Sequence, residues 1–210
     1  MKLSEIRKTT SEDHLLLKFD DGTKLRVSLQ IMADFGLSKD MEISPEFFAE
    51  LNKAASAAHT RERAVRILSA TNISKKNLTR RLCQKGEEED NAAEAVAWLE
   101  NLGLLSDART GEMLVRSALH KGYGVYRIRQ ILREKEIPQE LWDGLLCDLP
   151  PMDEAVDRLL RQKVKSSNPD QKELQKAVDA LRRYGHSWQD IRAGLARLQV
   201  NLDLEDTECQ

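Results

Sequence analysis

Apolar residues recur along this chain with two different periods, and the change from one to the other divides it. Near the N-terminus, Leu15-Leu-Leu-Lys-Phe19 and Lys24-Leu-Arg-Val-Ser-Leu29 alternate in part between apolar and polar positions, the period of a strand covered on one face. Asp20-Asp21-Gly22 lies between them. Asp-Gly at that place predicts a hairpin, because glycine enters a positive-φ turn without steric cost. Leu3 to Arg7 is the candidate third strand. A short helix around Ile31 to Phe35 should stop at Gly36. Ser44-Pro45-Glu46 should open another, with proline at the first helical position and an acid in the first turn. Residues 1–55 are therefore expected to form a small β-hairpin module.

From about Arg61 onward every apolar segment has the helical period. Leu82, Leu132 and Leu181 stand at matching places, 50 and then 49 residues apart. Each is followed three residues later by Lys85, Lys135 or Tyr184, and then by Gly86, Glu136 or Gly185. Leu78, Ile128 and Ala177 precede them by four residues, one turn back on the same face. An apolar helix is expected upstream of each (Ala64-Val65-Ile67-Leu68, Met113-Leu114-Ala118-Leu119, Ala155-Val156-Leu159-Leu160). A third is expected downstream (Ala93-Val96-Trp98-Leu99, Leu141-Leu145-Leu146, Trp188-Ile191-Leu195). Three helices in each of three units predict a mainly α chain: tandem three-helix repeats in an elongated, curved array, carrying the hairpin module at the N-terminus. The expected boundaries are 56–102, 103–149 and 150–200, followed by an acidic tail, 201–210.

The punctuation agrees with this division. Ser74 is placed to cap the middle helix of the first repeat. Pro138 precedes the third helix of the second, and Pro150-Pro151 separates the second repeat from the third. Asn168-Pro169 reads as a cap before a first-position proline, and Ser187 with Asp190 as a capping box.

Charge comes in blocks. Residues 61–85 hold eight basic side chains (Arg61, Arg63, Arg66, Lys75, Lys76, Arg80, Arg81, Lys85) against Glu62. Residues 87–100 are acidic, 115–135 basic again through Arg116, Lys121, Arg127, Arg129, Arg133 and Lys135, and 136–157 carry acids only. Acids at helix starts and bases at helix ends account for much of this pattern. Lys75 and Lys76 depart from it, because they sit in a first turn, and a basic face kept against local preference suggests an anionic partner. The net charge of −2 argues against a polycation that coats nucleic acid.

Candidate chemistry is sparse. GxxxxGK[ST], HExxH and GxSxG are absent, and His14, His59, His120 and His186 lack ligand spacing. Catalytic residues, metal ligands and a cofactor are therefore expected to be none. Cys83, Cys147 and Cys209 are few, odd in number and far apart, which fits a reducing compartment. Cys83 and Trp98, Trp142 and Trp188 read as packing residues. Lys121-Gly122-Tyr123-Gly124 reads as the turn between two helices rather than a phosphate cradle. With no leader-like or membrane-spanning apolar run, a cytoplasmic monomer is expected, acting by binding.

Several stretches together resemble the RecX family. They are Gly103-Leu-Leu-Ser-Asp107, Arg109, Val115-Arg116-Ser117, Lys121-Gly122-Tyr123-Gly124, Arg127-Ile128, Leu132 and Ile137, which look like its middle repeat. Leu82-x-x-Lys85-Gly86 is similar to its first repeat. Asp21-Gly22, Val27-Ser28 and Phe35-Gly36-Leu37-Ser38-Lys39 are similar to the β-rich extension of some members. The sequence departs from the family pattern at Thr110, where an aromatic is usual, and at Glu136 and Asp40, where glycine is usual. It also lacks an acid in the turn after Ser74. The resemblance implies a regulator without catalytic activity that lodges in the helical groove of the RecA filament on single-stranded DNA. There it would restrain filament extension, strand exchange, ATP hydrolysis and the SOS response. The alternatives are a helical-repeat nucleic-acid-binding protein that acts without RecA, and an adaptor unrelated to DNA.

For the contact surface, the pattern points first to the middle helix of the second repeat. With Ile128 at zero on a helical wheel, Ile131 and Leu132 face the core within about 60°. Arg129, Arg133 and Tyr126 cluster at about 100° to 160°, a cationic and aromatic flank suited to phosphate or an acidic surface. Arg127 falls on the other flank beside Glu134. The aligned residues of the first repeat are Thr79 and Cys83, so the pair belongs to the middle repeat alone. Lys75, Lys76, Arg80, Arg81, Arg116 and Lys121 complete the candidate set.

Overall fold

The computed structural model describes residues 1–9, 13–165 and 169–198, and the chain divides into two compact units, Met1–Leu105 and Ser106–Gln210. The expected acidic tail, 201–210, lies outside the described residues.

The first unit begins with an antiparallel sheet of β1 (Leu3–Lys8), β2 (His14–Phe19) and β3 (Lys24–Ser28) in that order. Alternation fixes which side is covered: Leu15, Leu17, Phe19 and Val27 are buried. The hairpin turn forms as the Asp-Gly signal predicts, with the Gly22 amide donating to the Phe19 carbonyl at 3.0 Å. Ser28 caps α1 (Leu29–Asp34), and Ser44 caps α2 (Pro45–Ala70) by accepting the Phe47 amide.

α2 is a single helix of 26 residues, so the boundary expected at 55/56 falls inside it. The chain holds neither glycine nor proline between 46 and 85, and nothing local stops the helix before Thr71. Its two halves serve different cores. Leu51 and Ala55 join the sheet residues, while Ala64 joins Leu78, Leu82 and Leu99 of α3 (Lys75–Gln84) and α4 (Glu89–Asn101). Val65, expected among the apolar positions of this helix, is exposed, because the stripe needed by two successive cores leaves it outside.

The second unit holds two three-helix sets. The first is α5 (Asp107–His120), α6 (Val125–Glu134) and α7 (Trp142–Leu146), the last preceded by a 3-10 turn, Gln139–Leu141, rather than forming the full helix expected there. The second is α8 (Asp153–Lys163), α9 (Gln171–Arg183) and α10 (Trp188–Arg197). Each set closes its own core, around Val115, Ile128, Leu132 and Trp142 in one and Val156, Leu160, Leu181 and Ile191 in the other. Met113, expected on the apolar face of α5, is exposed. The capping box of Ser187 and Asp190 is present. The cap of α9 is Asp170, which accepts the Glu173 amide, and Pro169 stands before the helix rather than in its first turn. Asn168, the expected cap, lies outside the described residues.

The leucine register has a backbone meaning. The carbonyls of Leu82, Leu132 and Leu181 accept the amides of Glu87, Ile137 and His186, five residues on, at 3.1, 3.0 and 3.2 Å. The amides of Gly86, Glu136 and Gly185 bond one step inside, to Cys83, Arg133 and Arg182. This is the paired closure of a helix by a left-handed residue, and it requires positive φ at the position after the cap. Glu136 takes that conformation at φ 55° without being glycine, and Asp40 does the same at φ 69°. These are the two places where the sequence departs from the glycine usual in the family it resembles.

Candidate partner-binding site

Gly124, before α6, offers no side-chain cap. The amides of Gly124 and Tyr126 donate instead to the carbonyls of Tyr184 and Gly185 at the end of α9, at 2.9 and 3.1 Å. Orphan donors of one helix start thus meet orphan acceptors of another helix end, with the two dipoles head to tail. Contact is so close that a Cβ on Gly124 would lie 2.2 Å from the Gly185 oxygen. The Tyr123 and Tyr184 rings meet edge to face at 5.4 Å. His186 lies buried beside this joint, its Nε2 3.0 Å from the Gly122 carbonyl, and its pKa is pushed down chiefly by burial, with the Gly122 hydrogen bond and Asp190 opposing. The Lys121-Gly122-Tyr123-Gly124 turn is the place where two repeats are fastened.

That fastening sets the direction of the α6 outer face. Ile128 and Leu132 are buried, while Arg129 and Arg133 are exposed and Tyr126 is 60% exposed. The Arg133 guanidinium lies over the Trp142 ring at 5.9 Å, and the Trp142 indole is itself held by donating to the Ile137 carbonyl at 3.1 Å. Arg127 is half-buried on the other flank, 3.5 Å from Glu134 and 6.0 Å over Tyr123. Arg116 on α5 and Lys121 after it are both exposed.

The cations of α3 differ in exposure. Lys75 pairs with Glu100 at 2.8 Å, which offsets its unfavourable place in the first turn. Lys76, Arg80 and Arg81 are exposed. Cys83, expected in the core, is exposed, since Leu78 and Leu82 occupy the buried stripe and Cys83 falls one residue beyond it. Below α3, Glu87 is held by Arg63 at 2.7 Å, His59 at 3.2 Å and the buried Thr60 hydroxyl at 2.5 Å. Arg63 also donates to the Lys85 carbonyl. Arg63, read as part of a basic block, therefore serves to lock the end of α3 onto α2 through Glu87 and the Lys85 carbonyl.

Sequence reasoning missed the arginine that covers each tryptophan: Arg61 over Trp98, Arg133 over Trp142 and Arg192 over Trp188. Trp142 is buried, but Trp98 and Trp188 are only half-buried. The spacing of four between Trp188 and Arg192 on one helix could have revealed one of the pairs; the other two join separate elements. Among the described residues no cluster of three metal-ligating side chains forms, and no helix is long and apolar enough to cross a membrane.

Residues 106–146, which hold this α6 face, match a family model described as RecX, second three-helix domain. A regulatory protein RecX of Stenotrophomonas maltophilia is 32% identical over 133 residues, spanning 62% of this chain and 82% of that one. The chain belongs to the RecX family. Another RecX, from Chromohalobacter salexigens, is 29% identical over 145 residues, 69% of this chain and 95% of its own. A crystal structure of regulatory protein RecX superimposes with a TM-score of 0.70 at 20% identity, covering 93% of this chain and 98% of the other. RecX of Lactobacillus salivarius gives a TM-score of 0.63 at 20% identity over 70% of this chain and 98% of that one. The chain thus has the mainly helical RecX fold, with a three-stranded sheet at its start, and its relatives are regulatory proteins.

Proposed function

We propose that this chain is a non-catalytic cytoplasmic regulator that binds the RecA filament on single-stranded DNA, in the filament's helical groove, and inhibits its activities. Filament extension, strand exchange, ATP hydrolysis and SOS induction are the activities restrained. The observation that carries the reading is the solvent-facing row of Tyr126, Arg129 and Arg133 on α6, within the repeat that matches the family model. An arginine fork held over an indole has less freedom to lose on binding and meets carboxylate or phosphate with two bonds. Lys76, Arg80, Arg81, Arg116 and Lys121 supply further positive surface. The test is the rate of ATP hydrolysis by RecA on single-stranded DNA, measured with increasing amounts of this protein. A falling rate is expected, together with no hydrolysis by this protein alone. An unchanged rate at excess protein would overturn the reading.

A further inference from the structure

The sheet has a covered face and an open one, and the open face is cationic. Cross-strand register sets Glu5, Lys18 and Lys24 in one row, and Arg7, Leu16 and Arg26 in the next. Of these, Arg7, Lys18, Lys24 and Arg26 are exposed and Leu16 is half-buried. Glu5 is the lone carboxylate of the two rows and is hydrogen-bonded by Arg7. Its pKa is lowered first by that bond, with Lys18 and Lys39 adding their field. Lys18, Lys24 and Arg26 make no ion pair among the described residues. The nearby acids of the turn are engaged by backbone: Asp20 accepts the amides of Lys2 and Asp21, and Asp21 accepts that of Thr23. The next row, His14 and Ser28, is closed by the contact of the His14 Nε2 with the Glu62 carboxylate on α2 at 2.8 Å.

Lys18 directly opposite Lys24 is unfavourable for the sheet itself, since like charges on facing strands repel. Glu5 on the other side of Lys18 offsets part of that repulsion, and a polyanion laid across the strands would remove the rest. The chemistry of the face narrows the choice. It has no aromatic residue on which a base could stack, and a single half-buried leucine is too little for the apolar centre of a protein interface. What remains suits a chain of phosphates contacted without regard to sequence.

We infer that the outer face of the N-terminal sheet, through Arg7, Lys18, Lys24 and Arg26, binds the phosphodiester backbone of nucleic acid. The contact goes beyond the recombinase reading and needs no RecA. Neutralising the face removes counterion-releasing contacts, so it changes the salt dependence of binding as well as the affinity.

The experiment uses the full chain and a labelled mixed-sequence single-stranded oligonucleotide, followed by fluorescence anisotropy across a salt series without RecA. Lys18→Gln, Lys24→Gln and Arg26→Gln together are expected to lower affinity at least tenfold. The slope of log affinity against log salt should shrink by about 2, three phosphates at roughly 0.7 each. The melting temperature should hold or rise as the lysine repulsion is lost. In the unaltered protein, DNA should shield Lys18 and Lys24 from acetylation. Unchanged affinity and slope would overturn the inference, and so would lysines acetylated equally with and without DNA. Loss of binding to polyglutamate with DNA binding intact would overturn it too and assign the face to an acidic protein.

Discussion

The amide of Tyr126 donates to the carbonyl of Gly185 at 3.1 Å, so the first turn of α6 rests on the end of α9. The outward Tyr126 ring thereby depends on a residue of the following repeat. Residue types at the joint are constrained by distance more than by chemistry.

Gly124→Ala should be costly, because its Cβ would sit 2.2 Å from the Gly185 oxygen and 2.5 Å from the His186 nitrogen, both backbone atoms. Forced overpacking of this kind costs about 1–3 kcal/mol. For a chain of this size that is a fall of roughly 4–8 °C in melting temperature at 2 kcal/mol. Gly144→Ala, where a Cβ meets nothing within 4 Å, should leave the melting temperature unchanged or slightly raised. Equal curves for both variants would mean that the repeats are not in backbone contact.

The same joint should weaken in acid. His186 has a folded-state pKa below its ordinary value, so the unfolded chain binds the proton more readily. Its contribution is complete above the unfolded value near 6.5 and is lost as pH falls from there toward the folded value. His186→Gln, which cannot titrate, should show a smaller drop in melting temperature between pH 7.5 and 5 than the wild type. A drop of the same size in both would place the acid sensitivity elsewhere.

Left-handed backbone at Glu136 predicts a gain. An L side chain there costs about 1–2 kcal/mol relative to glycine, and the φ of 55° is imposed by closure of α6. Glu136→Gly should raise the melting temperature by about 2–4 °C, one kcal/mol being worth that much at this size. Glu136→Val should lower it, because a β-branched residue is worse suited to the same turn. A fall in the glycine variant would show that Glu136 side-chain contacts outweigh the strain.

Charge reversal tests the α6 face. Arg129→Glu with Arg133→Glu should weaken filament binding by more than about 1.4 kcal/mol, a factor of ten, with little change in melting. Arg127→Glu should do less to binding, since that residue is already engaged by Glu134 and Tyr123. If the double reversal binds as tightly as wild type, the contact moves to the α3 cations, Lys76, Arg80 and Arg81.

Helix type and register were legible because they depend on local chemistry. The leucines at 82, 132 and 181 mark both a buried stripe and a carbonyl five residues before its donor, and each role recurs at a fixed offset from the helix end. Asp-Gly at 21–22 and Ser at 74 and 187 act within a few residues of themselves. What stayed hidden depends on partners distant in sequence. Nothing near Gly124 announces Gly185, and nothing near Trp142 announces Arg133. The length of α2 was missed for the opposite reason: no breaker separates its two halves, and a change of core partner leaves little mark on composition. For the α6 face, the wheel placed Tyr126, Arg129 and Arg133 outside the core, where they are, but gave no sign of the indole beneath Arg133.

Continuity of α2 has a mechanical consequence. Leu51 and Ala55 are clamped to the sheet and Ala64 to the first repeat, with no joint between them along the helix. The sheet is therefore a rigid outrigger on a shared beam, not a tethered pendant. Any pull on its open face is delivered to the first repeat as torque, undiminished by a hinge. Cutting the chain at 55 would sever the beam mid-span and leave each half with one raw end. Loss of the module without harm to the repeat would require removing strand, turn and half-helix together and writing a new helix start before Ala64.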